Sequence, residues 1–190
     1  MIFQRQFKFY ASHRNQHLKD KCACLHGHRY DVTYELEMTR DLEKGQHVTT
    51  LFADLDSIGE HIHKILDHSC MMDWNDPLAL ILRDFAEGDI AEGKLWKFAY
   101  FPFPTSAENL AFAIFDMMED FIRLNFPIKL KKITLRETDS TLIHYDEFDH
   151  ERDDVAFVAS GETVKWFDFS LISNEWPKPQ RIPSAESTTA

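Results

Sequence analysis

Residues 26–38, HGHRYDVTYELEM, alternate without a break: His26, His28, Tyr30, Val32, Tyr34, Leu36 and Met38 share one face, and Arg29, Asp31, Thr33, Glu35 and Glu37 the other. A period of two sustained this long predicts a β-strand with one face buried. Just upstream, Phe7, Phe9, Ala11 and His13 alternate with Lys8, Tyr10 and Ser12, so residues 7–13 predict a second strand. A polar loop of about a dozen residues joins the two. Three histidines, His13, His26 and His28, thus end up on the apolar faces of neighbouring strands.

Downstream, Leu55, Ile58, Ile62, Ile65 and Leu66 recur at helical spacing and predict an amphipathic helix over roughly 54–67. A second helix is expected from near Thr105, where Pro104 precedes a Thr105/Glu108 capping box and Leu110, Ile114, Met118 and Phe121 form a stripe. Alternation returns over 130–137, with Ile133, Leu135 and Glu137 in phase. After a turn at Asp139–Ser140, Thr141 to Tyr145 reads as a short strand. The expected order is strand, strand, helix, helix, strand, strand, which favours an α+β fold built on antiparallel hairpins. Residues 69–103 carry Gly and Pro with weak periodicity and read as an insertion. Residues 150–190 read as a C-terminal extension, with a hairpin around Gly161 and a disordered tail from about 177. Residues 1–149 then form one domain.

Composition narrows the function. The 190 residues carry a net charge of -11, which argues against nucleic acid as partner, because phosphate binding needs clustered Lys and Arg. Three cysteines suit a reducing compartment, and no apolar run suggests a signal sequence or membrane span, so a cytoplasmic protein is expected.

His26 and His28, two apart on a strand, project to the same side, and His13 closes the set. A single histidine on an apolar face is ordinarily a satisfied core residue. The pair flanking Gly27 makes a metal site the better reading, and three imidazoles suit Zn²⁺ with a fourth position open. Cys24 shares parity with the pair and could close the site as a fourth ligand. Cys22, four residues before His26, could be a thiol activated by a nearby cation or a small buried residue. Asp67–His68 could form a proton-transfer unit if the chain turns there. Glu137, on the core side, must find hydrogen-bond donors. His61, His63, His17, His47, His144 and His150 read as solvated.

Five motifs occur in order between about residues 5 and 146: SHR at 12–14, CACLHGHRY at 22–30, LDH at 66–68, PTSAEN at 104–109 and RETDS at 136–140. Together they resemble the 6-pyruvoyl/6-carboxy-tetrahydropterin synthase family. The resemblance implies the tunnelling fold, an antiparallel four-stranded sheet with two helices on one face that oligomerises into a β-barrel, as a hexamer. It implies zinc on His13, His26 and His28, with Cys22 as catalytic thiol and Asp67 with His68 as proton relay. It also implies a pterin anchored by Glu137, with Thr105, Ser106 and Glu108 assisting. The CxxxHGH spacing from Cys22 to His26 matches the queuosine-pathway branch, which turns 7,8-dihydroneopterin triphosphate into 6-carboxy-5,6,7,8-tetrahydropterin and releases triphosphate and acetaldehyde. The alternatives are a 6-pyruvoyl tetrahydropterin synthase, which eliminates triphosphate only, and a non-catalytic zinc- or pterin-binding module. Ala107 inside the TSEN motif, the long stretch between His68 and Thr105 and the C-terminal extension depart from the family pattern.

Overall fold

A computed structural model describes residues 2–38 and 52–159. Strand β1 (Ile2–His13) pairs with antiparallel β2 (His26–Met38), joined by a loop containing a short 3₁₀ turn at Lys21–Ala23. Helix α1 (Phe52–Leu66), strand β3 (Ser69–Asp73), helix α2 (Pro77–Ala91) and strand β4 (Phe98–Phe101) follow. Helix α3 (Ala107–Asn125), strands β5 (Ile128–Arg136) and β6 (Leu142–Asp146), and helix α4 (Glu147–Ala159) complete the described chain. The described strands form one six-stranded sheet in the order β4-β3-β1-β2-β5-β6.

The fold is therefore α+β as expected, but the sheet is neither four-stranded nor purely antiparallel. The segment 69–103 is a β3–α2–β4 unit that adds two strands at the β1 edge, β3 parallel to β1 and β4 parallel to β3. Its weak periodicity has a physical cause. Met71 and Met72 are both buried, one on each face, because α2 covers the opposite side of this edge from α1 and α3. A strand covered on both faces does not alternate. The expectation of two helices on one face holds for α1 and α3, which cover Phe9, Tyr30, Val32, Tyr34, Leu36, Ile133 and Leu135. Packing of α1 on β1 is close: a Cβ on Gly59 would sit 3.0 Å from the Phe7 ring.

Strands β2 and β5 keep their apolar faces aligned through a bulge, where Glu35 pairs with Lys132 and Leu36 with Leu130, leaving Lys131 as the extra residue. Lys131 and Lys129 both pair with Glu147 at the start of α4. The first ten residues of the expected extension, 150–159, thus belong to a helix against α3 and β6, with His150 beside Asp116 at 3.5 Å and Glu119 at 3.4 Å. His150 is packed against Phe112 and Phe115 rather than solvated. The expected hairpin around Gly161, the tail from 177 and His47 lie outside the described residues.

Helix α3 starts one residue later than the capping-box reading placed it. Ser106 is its N-cap and accepts from the Asn109 amide, while the Thr105 hydroxyl is buried and donates to the Arg14 carbonyl at 3.3 Å. No described helix is long and apolar enough to cross a membrane.

Candidate metal centre and active site

In the β1–β2 register His13 stands opposite His26, and Ala11 opposite His28. That pairing brings three imidazoles together at one end of the sheet, on the face that α1 and α3 cover. The nearest ligand atoms of His13, His26 and His28 all lie within 4.8 Å of one another. Gly27, opposite Ser12, lets the strands approach closely: a Cβ there would lie a tight 3.1 Å from the Ala11 carbonyl oxygen.

Two of the rings are oriented by backbone carbonyls. His13 Nδ1 lies 2.7 Å from the Thr105 oxygen and His26 Nδ1 lies 2.7 Å from the Cys24 oxygen. A carbonyl only accepts, so each Nδ1 carries a proton, and Nε2 is the atom each ring can offer to a metal. His13 Nε2 is buried with no hydrogen-bond partner. Burial pushes the His13 pKa down to about 4, against the Thr105 bond, so the ring stays neutral. A neutral, oriented His13 with an orphaned buried nitrogen, facing two further imidazoles, fits a divalent metal such as zinc. Cys24 is exposed and enters through its carbonyl, and the cluster comprises the three histidines among the described residues.

Glu137 continues the inward phase of β5, and its Oε1 is 3.6 Å from His13 Nε2. With a side chain only 16% exposed, its carboxyl is pushed up, first by burial and then by the charge of Glu108, against His26 and Tyr30. The Tyr30 hydroxyl is buried nearby, and burial with the Glu137 charge raises its pKa. Cys22 sits in the 3₁₀ turn, held by its amide to Asp20 at 2.8 Å. Its thiol pKa is raised by desolvation, by Asp20 and by Glu137, against Lys21. Cys22, Glu108, Glu137 and the three histidines therefore converge on one region. Thr105 and Ser106 border it, with their hydroxyls engaged by the Arg14 carbonyl and the α3 cap.

Asp67 and His68 lie elsewhere. Tyr10 points to the face of β1 opposite His13, and the His68 ring lies 6.4 Å from the Tyr10 ring. The two residues do form a unit: His68 Nδ1 donates to Asp67 Oδ2 at 2.6 Å. Burial opposes ionisation of Asp67, but the Tyr10 amide, His68 and His63 together hold its carboxyl below the ordinary value. His68 has φ of 57°, left-handed, which costs a residue with a Cβ roughly 1–2 kcal/mol. Two reciprocal bonds with Tyr10 impose it, His68 N–H to the Tyr10 oxygen at 2.6 Å and Tyr10 N–H to Asp67 Oδ1 at 2.9 Å. The turn that the Asp–His reading required is present. Within one chain, however, the pair is on the far side of the sheet from the histidine cluster.

Three neighbours of this pair were given no functional role in the sequence. His63, expected to be solvated, reaches Asp67 Oδ2 at 3.6 Å, one helical turn away. Tyr10 acts through its backbone. Lys97 Nζ donates to the Asp67 carbonyl at 2.6 Å and to the Lys64 carbonyl at 2.8 Å. The i,i+4 spacing of His63 and Asp67 was a readable signal; the Lys97 contact, 30 residues away, had none.

Among solved structures, an uncharacterized protein from Wolinella succinogenes superposes with a TM-score of 0.60, at 22% identity, covering 77% of this chain and 99% of that one. The 6-pyruvoyl tetrahydropterin synthase of Caenorhabditis elegans superposes at 0.50, with 18% identity, covering 77% and 94%. The curled mixed sheet with its helices is thus the fold of 6-pyruvoyl tetrahydropterin synthase-like proteins. A family model described as 6-pyruvoyl tetrahydropterin synthase matches residues 2–147, and the chain belongs to that family. The 6-carboxy-5,6,7,8-tetrahydropterin synthase of Aquifex aeolicus (strain VF5) is 29% identical over 133 residues, which cover 67% of this chain and 77% of the relative.

Proposed function

We propose that the chain is a zinc-dependent 6-carboxy-5,6,7,8-tetrahydropterin synthase, converting 7,8-dihydroneopterin triphosphate with release of triphosphate and acetaldehyde. The observation that carries this reading is the cluster of three histidines, one with an orphaned buried Nε2, beside the half-buried Glu137 and Cys22. The Cys22-to-His26 spacing and the similarity to the Aquifex enzyme favour the carboxy over the pyruvoyl product.

His13, His26 and His28 would hold the zinc, which supplies Lewis-acid polarisation of the substrate side-chain hydroxyls. Glu137 accepts N–H bonds from the pterin ring, with Glu108 and the 105–106 backbone at the border of the pocket. Cys22 takes and returns a proton. Its raised thiol pKa needs a positive charge alongside to favour the thiolate, and the histidine cluster is where that charge would sit. Asp67 keeps the proton of His68 on Nδ1, so that Nε2 is free to exchange one. Since the cluster and His68 occupy opposite faces, one working site combines Cys22 and the cluster of one subunit with His68 of a neighbour. The protein acts as a homo-oligomer, a hexamer by family resemblance, in the cytoplasm, with residues 1–149 as the catalytic unit.

The deciding experiment is incubation of the metal-loaded protein with 7,8-dihydroneopterin triphosphate. Triphosphate, acetaldehyde and 6-carboxy-tetrahydropterin are expected in equal amounts. Triphosphate without acetaldehyde would identify the pyruvoyl reaction, and neither product would leave a binding module. Metal analysis of the His26→Ala, His28→Ala double variant should show zinc absent; full zinc there would refute the metal site.

A further inference from the structure

We propose that Lys97, contributed by the β3–α2–β4 unit, is a positioning residue for His68, holding the Asp67–His68 peptide so that the imidazole keeps one tautomer and one orientation. The inference rests on the reading of Asp67–His68 as the proton-transfer pair. Asp67 follows the last residue of α1, where backbone carbonyls lack intrahelical partners. Such carbonyls are commonly met by a basic side chain of the same helix. Here the ammonium arrives from β4's entry, donating to the carbonyls of Lys64 and Asp67 at 2.8 and 2.6 Å. Lys97 is half-buried, and its own carbonyl accepts from the Cys70 amide at 2.9 Å, just past His68. The lysine is therefore anchored at both ends of the turn.

The chain around His68 explains why that anchor matters. Strand β1 fixes the His68 amide and one Asp67 carboxylate oxygen through Tyr10. The carbonyl between them is left for Lys97. A histidine stays in the left-handed region only where its neighbours impose it. Rotation of the Asp67 carbonyl would swing the following residue and break the 2.6 Å bond between Asp67 Oδ2 and His68 Nδ1. That bond is what keeps the proton on Nδ1, and the His68 ring, 80% exposed, otherwise has only the Tyr10 ring beside it, 6.4 Å away.

The test reads the tautomer directly, without metal or substrate. In full-length protein labelled with ¹⁵N-histidine, the His68 ring is assigned by its loss in His68→Asn. The unmodified chain and Lys97→Arg should show the Nδ1–H form, and Lys97→Met a mixture with Nε2–H. In turnover, Lys97→Met should lower kcat by about ten- to a hundredfold with KM unchanged, and Lys97→Arg should recover most of it. If Lys97→Met does not fold, Lys97→Gln takes its place with the same expectations. An unchanged His68 tautomer in either folded neutral variant overturns the proposal. So does an altered tautomer with full kcat in an active enzyme. Should the chain turn over no pterin at all, the functional reading fails, while the tautomer comparison still decides the role of Lys97.

Discussion

Cys22 and Cys24 lie two residues apart and differ in what they touch. Cys24 is exposed and lends its carbonyl to His26, while Cys22 is half-buried and within electrostatic reach of Glu137. Cys22→Ala should therefore keep zinc and lose at least ~100-fold in turnover, the scale of a lost general acid or base. Cys24→Ala should keep both, since a backbone carbonyl survives the change. Zinc content and kcat of the two single variants check this, and zinc loss in Cys24→Ala would make that cysteine a ligand. The histidine cluster was legible because strand alternation is a local rule, and the register then added His13 opposite His26. The roles of Lys97 and the Tyr10 backbone were not legible. Their bonds to Asp67 span 30 and 57 residues, and no local pattern encodes a contact of that separation.

Helix α1 shows at the scale of elements how its end was built for the Asp67–His68 turn. Asp67 has a carboxyl held below its ordinary value of 3.8. A depressed folded pKa stabilises the folded chain fully above the unfolded value, and the contribution fades as pH falls through the folded value. The stability gap between the unmodified chain and Asp67→Asn should then be present above about pH 4 and shrink as pH falls through the depressed folded value below it. Chemical denaturation across that range measures it; a gap that persists undiminished into acid would contradict the carboxylate anchor. The same helix was readable from its apolar spacing, to within two residues at its start. The β3–α2–β4 unit was not, because its strands are short and buried on both faces. Leu80, Ile81 and Phe85 on α2 are also exposed, which blurs the helical stripe. The start of α3 slipped by one residue because Thr105 and Ser106 are both competent caps, and only the Arg14 carbonyl decides which turns inward.

For the whole molecule, the separation of the histidine cluster and His68 on opposite sheet faces predicts complementation. Cys22→Ala and His68→Ala chains, each inactive, should regain activity when unfolded together and refolded, because some mixed sites receive an intact thiol and an intact histidine. Persistent inactivity of well-mixed oligomers would place thiol and relay in one chain's site. The sheet also has an uneven seam. Strands β1 and β2 are joined by a continuous ladder from Ile2↔Glu37 to His13↔His26, whereas β1 and β3 share only the pairs Ala11↔Ser69 and Ser12↔Cys70. A parallel pairing this short is the natural place for a sub-global opening. Amides of 69–73 and 98–101 should exchange with deuterium well before those of 28–36. Lys97 leaves with the edge that opens, so each such excursion would release His68 while the three histidines stay assembled. The population of that open form, rather than the chemistry at the histidine cluster, would then set how the enzyme loses activity on mild warming.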